Sequence, residues 1–466
     1  MPQTHTSGTT THSRWEARLR ELAERHGVPG AQLGVLRVSE GGTAQVEVAA
    51  AGVLNAVTGR EVRLGSVFQI GSISKVWTAT VLMMLIDEGR LTLDTRVVDV
   101  LPGFRLADQA AAEELTIWHL LTHANGIDGD IFTDTGRGDD ALEKYVGSLA
   151  DAAQNHPVGA TWSYSNTGYV VLGRVIEAVT GQTWDAAIAE RLFTPLGLGS
   201  TSTLPEQTIL HDPAIGHVTP FPDATPAPVW SLPRSLGPAG LVVSSAEDVL
   251  RFAALHLTGG KTLDGTQLVS AESVAQMSAF QVELPEKHSL GDSWGLGWIR
   301  YDANGHRLIG HDGSTVGQEA FLRVSPDRRG AVVLLTNGGH AGDLFAELGE
   351  EVLREEFGVG LPTPFAAPEN THPFSGFGTW AGRYENAALR VDVPDAAEQP
   401  TITITMLGAL AAVTPDPVET YPLTPVGENL YGFSFRGAQK LTPLTFFTVD
   451  GAPYVHFGGR ALPRVQ

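Results

Sequence analysis

Both ends of the first 357 residues pair a helix pattern with two strand-like runs, in mirrored order. At the start, a helical stripe led by Trp15 is followed by strand-like runs at 32–38 and 44–50. At the other end, strand-like runs at 321–325 and 331–336 precede a second helical stripe. Each amphipathic element must bury its apolar side against another layer. We therefore predict one antiparallel sheet built from both ends, with the terminal helices on one face and the middle of the chain as a helical insertion.

A proline-rich segment separates this region from the rest of the chain. Residues 361–373 contain four prolines and no apolar periodicity, which is typical of a stiff linker. The short alternating stretches beyond it carry no helical stripe and predict a small β-barrel or sandwich. The predicted organisation is a disordered polar tail (1–13), an α/β domain (14–358), the linker (359–373) and a β domain (374–466).

Charge and composition exclude several classes of function. The formal net charge is −21, and so acidic a surface repels phosphate backbones and anionic lipids. We therefore expect neither nucleic acid nor membrane as a partner. The chain has no cysteine, which excludes disulfides and a thiolate nucleophile. Residues 1–13 lack the basic start and apolar stretch of a signal peptide, so we expect a cytoplasmic protein.

Residues 71–75, Gly-Ser-Ile-Ser-Lys, stand where an apolar run gives way to a helix pattern. Ser72 and Lys75 are three apart and share one face of the first helical turn. A serine hydroxyl needs a base before it can act as a nucleophile, and a desolvated lysine can be that base. The Ser72 N–H at the helix N-terminus can also stabilise an oxyanion. The alternative is a helix-capping serine followed by a surface lysine.

Tyr164 and Asn166 follow a turn and precede the next helix pattern. Two residues apart on such a turn, their side chains can point into one cavity. A Tyr164 phenolate could be a second base or a proton shuttle beside Lys75. Asn166 could hold a substrate amide or Lys75 itself. The alternative is a core tyrosine beside a capping asparagine.

A third motif, Gly-His-Asp-Gly-Ser at 310–314, lies between two strand-like segments. Glycine at a strand edge lets a substrate backbone approach closely. The Ser314 N–H would then be the second donor to an oxyanion.

His119 and His123 have the spacing of zinc ligands. The two leucines between them leave no place for the metalloprotease glutamate. We interpret both as packed core histidines and expect neither a metal nor an organic cofactor.

The three motifs, in this order, resemble the serine β-lactamase and penicillin-binding-protein superfamily, most closely its class C-like branch. The resemblance covers roughly residues 15–357. It implies an α/β (α+β) fold, in which helices flank an antiparallel sheet beside an all-helical region, with 14–358 as the catalytic domain. It also implies residue roles: Ser72 as nucleophile, Lys75 and Tyr164 as the base system, and Asn166 as a substrate-positioning group. His311, Asp312 and Gly313 stand in the place of the Lys-Thr-Gly element, with His311 counted among the catalytic residues, and Gly313 and Ser314 are expected to contact substrate.

His311 departs from the superfamily pattern. A lysine there is fully charged at pH 7, whereas a histidine with a pKa near 6.5 is mostly neutral. Tight electrostatic capture of a β-lactam carboxylate is therefore not expected. A histidine in this position is similar to family members that act as esterases, D-amino-acid peptidases and acyltransferases.

The domain organisation, with a small lipocalin-like β domain after the linker, is similar to that of the penicillin-binding-protein-type thioesterases. These are stand-alone cyclases of nonribosomal peptides. This resemblance implies head-to-tail macrocyclisation of a peptide thioester through a Ser72 acyl-enzyme, with a peptidyl carrier protein as a partner. Two alternatives are a D-amino-acid-specific peptidase or carboxylesterase, and a catalytically inactive peptide-binding protein. The intact Ser72, Lys75 and Tyr164 argue against the inactive version.

Three further residues are predicted to contact substrate. Ile131 and Phe132, in the loop 129–132, would pack against peptide side chains. Arg460, beside two glycines near the C-terminus, would steer a peptide or a carrier phosphopantetheine. The alternatives are an apolar surface loop and a surface arginine beside a turn.

Overall fold

The computed structural model describes residues 11–12, 14–367, 376–395, 400–408, 411, 416–437 and 440–465. Of the predicted tail, Thr11–His12 form a short strand that pairs in parallel with Glu47 and Val48, and residues 1–10 and 13 lie outside the described residues. The predicted linker is described up to residue 367, without helix or strand after 357. The strands before it are β1 (Thr11–His12), β2 (Gly30–Val38), β3 (Ala44–Asn55), β4 (Arg60–Glu61), β5 (Ser66–Gln69), β6 (Asp212–Pro213), β7 (Val243–Ser244), β8 (Val282–Glu283), β9 (Ser293–Trp294), β10 (Ile299–Ala303), β11 (His306–Ser314), β12 (Glu319–Ser325) and β13 (Gly330–Thr336).

The main sheet joins the two ends of the first domain. Its strand order is β1-β3-β2-β13-β12-β11-β10-β9-β8, with β4 on β3. The antiparallel pairing of β2 with β13 makes the junction, and Leu33 lies opposite Leu334. Every residue of β13 is buried, because helices cover both faces of the sheet at this strand. The predicted sheet built from both ends is confirmed.

Helices cover the sheet on both sides. In chain order they are α1 (Glu16–Arg25), α2 (Ser74–Asp87), α3 (Val97–Val100), α4 (Gln109–Glu114), α5 (Ile117–Leu121), α6 (Ala141–Gly147), α7 (Asn166–Thr180), α8 (Trp184–Ile188), α9 (Thr194–Leu196), α10 (Pro205–Thr208), α11 (Gly237–Gly240), α12 (Ala246–Leu257), α13 (Ala271–Ser278) and α14 (Ala341–Phe357). The terminal helices α1 and α14 share one core with the sheet, through Leu19 and Leu348. As predicted, they lie on the same face.

Helix α2 lies in the middle of the larger core of the first domain, which is separate from the core that α1 and α14 share. Residues 74–85 are all buried, and the helix is covered on every side because the sheet and the helical region both pack against it. Strand β5 pairs with β6 and β7 and passes directly into the turn before α2. The packing around α2 and the pairing of β5 therefore fix the position of the turn that joins them.

The C-terminal domain is a curled antiparallel sheet. Its strands are β14 (Gly382–Glu385), β15 (Leu389–Val393), β16 (Thr401–Met406), β17 (Val418–Pro422), β18 (Thr424–Gly427), β19 (Leu430–Phe433), β20 (Thr442–Val449), β21 (Ala452–Phe457) and β22 (Arg460–Val465). Their order is β17-β16-β15-β14-β22-β21-β20-β19-β18. The two edge strands, β17 and β18, are separated in the chain by Leu423 alone, so the sheet curls into a nearly closed barrel. Alternate residues such as Tyr384, Val391 and Phe446 fill its interior. The predicted small β-barrel is confirmed.

Candidate active site

Ser72 lies in a 3₁₀ turn, Gly71–Ile73, that leads directly into α2. Gly71 has a φ of +51°, and a Cβ there would lie only 2.6 Å from the backbone nitrogen of Ser314. A residue with a side chain would be strained and would push β11 away. The glycine before the serine thus keeps this turn against the end of β11.

The Lys75 amine is enclosed by three oxygen atoms. Its Nζ lies 2.9 Å from Ser72 Oγ, 2.8 Å from Asn166 Oδ1 and 2.7 Å from the carbonyl oxygen of Ala239. An uncharged amine has two N–H groups and one lone pair. If Asn166 and the Ala239 carbonyl accept the two N–H groups, the lone pair faces the Ser72 hydroxyl.

Burial explains why Lys75 can be uncharged. Its side chain has no solvent exposure, and this desolvation lowers the lysine pKa well below its ordinary value. The positive charge of Arg460 lowers this pKa further, while the carboxylate of Asp130 opposes the change. The amine can therefore take the Ser72 proton, which is the role predicted for it.

The aromatic ring of Tyr164 lies beside the Lys75 amine. Lys75 Nζ lies 4.8 Å from the centre of the Tyr164 ring, and the backbone N–H of Tyr164 donates to Gly459 in the barrel at 2.9 Å. Burial raises the pKa of the Tyr164 hydroxyl, although its interaction with Ser72 and the charge of Arg460 oppose the rise. A hydroxyl that keeps its proton fits a proton donor or shuttle better than the phenolate base of the sequence prediction.

His311, on β11, is buried, with 2% of its surface exposed. Its Nδ1 is 2.6 Å from the carbonyl oxygen of Asp312, which can only accept, so Nδ1 carries the proton. Its Nε2 is then an acceptor, buried and without a partner among the described residues. Burial, with Lys75 nearby, lowers the pKa of His311 to about 3. The third motif therefore presents an uncharged side chain, as expected from histidine.

Gly313 brings β11 against the catalytic serine. A Cβ on Gly313 would lie 1.9 Å from the carbonyl oxygen of Ile70 and 2.9 Å from the backbone nitrogen of Ser72. The backbone nitrogens of Ser72 and Ser314 both lie at this contact. Two N–H groups so close to the nucleophile can form an oxyanion hole.

The predicted loop 129–132 lies beside α7. The Gly129 carbonyl oxygen accepts from the backbone N–H of Asn166 at 2.9 Å, and a Cβ on Gly129 would lie 2.4 Å from the carbonyl oxygen of Tyr164. Ile131 and Phe132 are half-buried and pack against the larger core. Their contact with a substrate stays a prediction.

Arg460 reaches the first domain from the start of β22. Its guanidinium lies 5.0 Å from the centre of the Tyr164 ring. Its Nε and Nη2 donate to the two carboxylate oxygens of Asp130, at 2.9 and 2.8 Å. Arg460 thus forms a paired contact with Asp130, and its steering of a substrate stays a prediction.

Sequence reasoning missed four residues of this site. Asp130 accepts from the Asn166 side chain, the Ala239 carbonyl accepts from Lys75, and His123 stacks on Tyr164 with ring centres 4.4 Å apart. The Asp128 side chain accepts a hydrogen bond from the backbone N–H of Ala387 in the barrel. The two aspartates that flank Gly129 were a detectable signal, because a close acidic pair needs partners when it is buried.

Of the two spaced histidines, His123 is buried as predicted, whereas His119 is only half-buried at the start of a helix. His119 accepts from the Thr116 N–H at the start of α5. His123 is buried, and its Nδ1 accepts the Ser165 N–H at 3.0 Å. Among the described residues, no three His, Asp or Glu side chains group as metal ligands would. Within the same part of the chain, no helix has the length and apolarity that crossing a bilayer requires.

The first domain matches a known protein family. The Beta-lactamase family profile covers residues 15–354. The chain is 46% identical to Penicillin-binding protein 4 of Amycolatopsis lactamdurans over 377 residues, which is 80% of this chain and 97% of that protein. The chain therefore belongs to the β-lactamase and penicillin-binding-protein family of serine hydrolases and acyltransferases.

Solved structures resemble the whole chain, including the barrel. The crystal structure of SurE has a TM-score of 0.78 and 27% identity, covering 97% of this chain and 98% of its own. The structure of SurE with D-Leu has a TM-score of 0.76. A D-amino acid amidase from Ochrobactrum anthropi SV3, at 20% identity and a TM-score of 0.60, covers 73% of this chain and shares the fold alone.

Proposed function

We propose that this protein is a serine acyltransferase that takes a linear peptide from a thioester and closes it head to tail. The observation that carries the proposal is that Lys75 and His311 beside Ser72 are buried, which disfavours a charge on either of them. Lys75 and His311 both have lowered pKa values, and Arg460 is paired with Asp130. Such a site attracts a free carboxylate weakly and repels an amine little, so it suits a neutral thioester and an amine acceptor.

The first half-reaction forms the acyl-enzyme. Ser72 Oγ attacks the thioester carbonyl while its proton passes to Lys75 Nζ, 2.9 Å away. The N–H groups of Ser72 and Ser314 stabilise the oxyanion. The C–S bond then breaks, and the sulfur leaves as a thiol with a proton from the Tyr164 and Lys75 pair.

The second half-reaction releases the ring. The peptide's own terminal amine attacks the Ser72 ester and gives up a proton to Lys75. The C–O bond breaks, and Ser72 regains its proton. Because His311 is uncharged, the third motif does not repel an approaching amine, whereas a cation in this position would repel a protonated one.

The nature of the substrate is part of this proposal. A solved structure of SurE contains D-Leu, which supports a D-configured residue at the activated end of the peptide. A peptidyl carrier protein in the cytoplasm would deliver the thioester. The net charge of −21 argues against nucleic acid or a membrane surface as a partner.

A second candidate is a D-specific peptidase or carboxylesterase. It is favoured by the 46% identity to a protein named as penicillin-binding, because penicillins acylate a serine. The same acyl-enzyme would then be released by water instead of an amine.

Mass spectrometry of products separates the two candidates. The full chain is incubated with a short peptidyl thioester that ends in a D-residue, beside the Ser72→Ala variant and the epimer that ends in the L-residue. A product lighter than the substrate by the thiol alone supports cyclisation. A product that has also gained water supports the hydrolase and refutes the cyclase.

A further inference from the structure

Residues 128–130, here called the acidic loop, are held by the barrel at both ends. The backbone N–H of Ala387, between β14 and β15, donates to Asp128 Oδ2 at 2.7 Å. Arg460, after the turn between β21 and β22, binds both carboxylate oxygens of Asp130. Two separate parts of the barrel, the turn after β14 and the start of β22, therefore contact one tripeptide of the first domain.

The acidic loop is also connected to the catalytic serine. Asp130 Oδ1 accepts from Asn166 Nδ2 at 3.2 Å, and Asn166 Oδ1 accepts from Lys75 Nζ at 2.8 Å. Lys75 in turn contacts Ser72. One chain of polar contacts thus runs from Arg460 in the barrel to the nucleophile.

Burial makes the charge balance of this chain matter. The Asp130 side chain is 4% exposed and that of Arg460 is 22% exposed. A buried carboxylate without its partner is costly, and it favours a protonated lysine nearby. Among the described residues, Arg460 and Asp130 are the charged groups that act on Lys75. The other titratable groups around the amine are uncharged at neutral pH: Tyr164, Tyr169, His123 and His311.

We propose that Arg460 is a positioning residue that the barrel supplies to the catalytic centre: by neutralising Asp130, it keeps Asn166 on Lys75 and keeps Lys75 uncharged beside Ser72. The barrel is then a part of the catalytic centre and does more than cover it. The inference deepens the proposed function and rests on it in one respect, the use of Lys75 as the base.

The lysine content of the chain allows a direct test. The sequence has five lysines, and the four besides Lys75 are all exposed: Lys144, Lys261, Lys287 and Lys440. In the full chain labelled with ¹³C at lysine Cε, the Lys75 NMR signal is assigned by its loss in Lys75→Met. Its pH titration is then followed without any substrate.

Arg460→Met and Asp130→Asn should shift the midpoint of the Lys75 titration in opposite directions. Arg460→Met removes a cation and leaves Asp130 unpaired, so the Lys75 midpoint rises by at least about 1 pH unit. Asp130→Asn removes the carboxylate but still accepts from Asn166, so the midpoint falls. The double variant lacks both charges and returns toward the parent value. The control Arg383→Met removes a half-exposed barrel arginine that pairs with Asp392 at 2.8 Å, and it leaves the midpoint unchanged.

An unchanged Lys75 midpoint in Arg460→Met overturns the proposal. If that variant does not fold, Asp130→Asn decides alone: a fall in the midpoint supports the proposal, and no change or a rise overturns it. Failure of the proposed function is seen separately. A chain that shows these titration shifts but converts no peptide thioester refutes the cyclase and leaves the role of Arg460 in place.

Discussion

At the scale of single residues, the site works with uncharged groups. Burial lowers the pKa of Lys75 and of His311 and raises that of Tyr164. Burial thus favours an amine with a free lone pair, a phenol that keeps its proton and a neutral imidazole with an acceptor nitrogen. Each group is in the protonation state that its proposed step requires.

Replacing the nucleophile tests the covalent mechanism. Ser72→Ala should lower turnover by at least about 10³-fold, because no acyl-enzyme can form. Intact-protein mass spectrometry with an activated ester should show an added acyl group in the parent chain and none in the variant. Turnover within tenfold of the parent would contradict a Ser72 mechanism.

The Tyr164 hydroxyl can be removed without removing its ring. Tyr164→Phe keeps the aromatic face that Lys75 and Arg460 contact, and it should reduce kcat by about 10² to 10⁴ through the loss of proton transfer. The Tm of the variant should stay close to that of the parent. A loss below tenfold would assign the proton transfer to another group.

Residue identities in the site were largely predictable, but their partners were not. Ser72, Lys75 and Asn166 meet as the motifs suggested. The pairing of Asp130 with Arg460 joins residues 330 positions apart. Neither residue belongs to a short motif, so only the packing of the barrel brings them together.

At the scale of elements, β11 shows where local sequence misleads. The sequence indicates a strand-like segment only up to Ile309, with residues 310–314 between it and the next strand-like segment. In the structure β11 continues to Ser314, because Gly313 and Ser314 pair with Ala320 and Glu319 of β12. Pairing with a neighbouring strand outweighs the weak strand preference of glycine. The hairpins and terminal helices needed no such information, since their own apolar patterns define them.

The contact of β11 with the Ser72 turn can be tested at Gly313. Gly313→Ala should reduce acylation by about 10² to 10³-fold, because the new Cβ meets the Ile70 backbone and moves an oxyanion donor away. Gly65→Ala is the matched control, since a Cβ there meets nothing within 4 Å. Burst kinetics with an activated ester measure the step. Equal acylation rates in the two variants would contradict this oxyanion hole.

At the scale of the whole molecule, buried histidines link stability to pH. His456 of the barrel is 1% exposed and lies beside Trp162 of the first domain, with ring centres 5.7 Å apart. Burial, with the charge of Arg460, lowers its pKa to about 3. Below about pH 6.5 the unfolded chain binds a proton that the folded chain does not. The free energy of unfolding should therefore fall as the pH drops from 6.5 toward 3.

Replacing His456 should make this fall shallower. His456→Leu should reduce the slope of the free energy of unfolding by up to about 1.4 kcal/mol per pH unit between pH 6 and 4. Urea unfolding at several pH values measures it. His340→Leu, at an exposed histidine, is the control. Equal slopes in the His456 variant and the parent would show that His456 is protonated in the folded chain.

The docking of the barrel depends on the turn between β21 and β22. Gly458 and Gly459 both have positive φ, but only a Cβ on Gly459 meets neighbours, with Leu290 Cδ1 at 2.6 Å and Tyr164 Cβ at 3.7 Å. Gly458→Ala and Gly459→Ala therefore carry similar backbone strain and differ in steric contact with the first domain.

This difference isolates the effect of docking on catalysis. Gly459→Ala should lower acylation of Ser72 more than Gly458→Ala does, because the new Cβ would clash with Leu290 of the first domain and push away the turn that carries Arg460, while the barrel core stays intact. Stopped-flow acylation and thermal unfolding of both variants give the comparison. Equal acylation rates would mean that the site tolerates a displaced barrel, and Arg460 would then have to reach Asp130 independently of this turn.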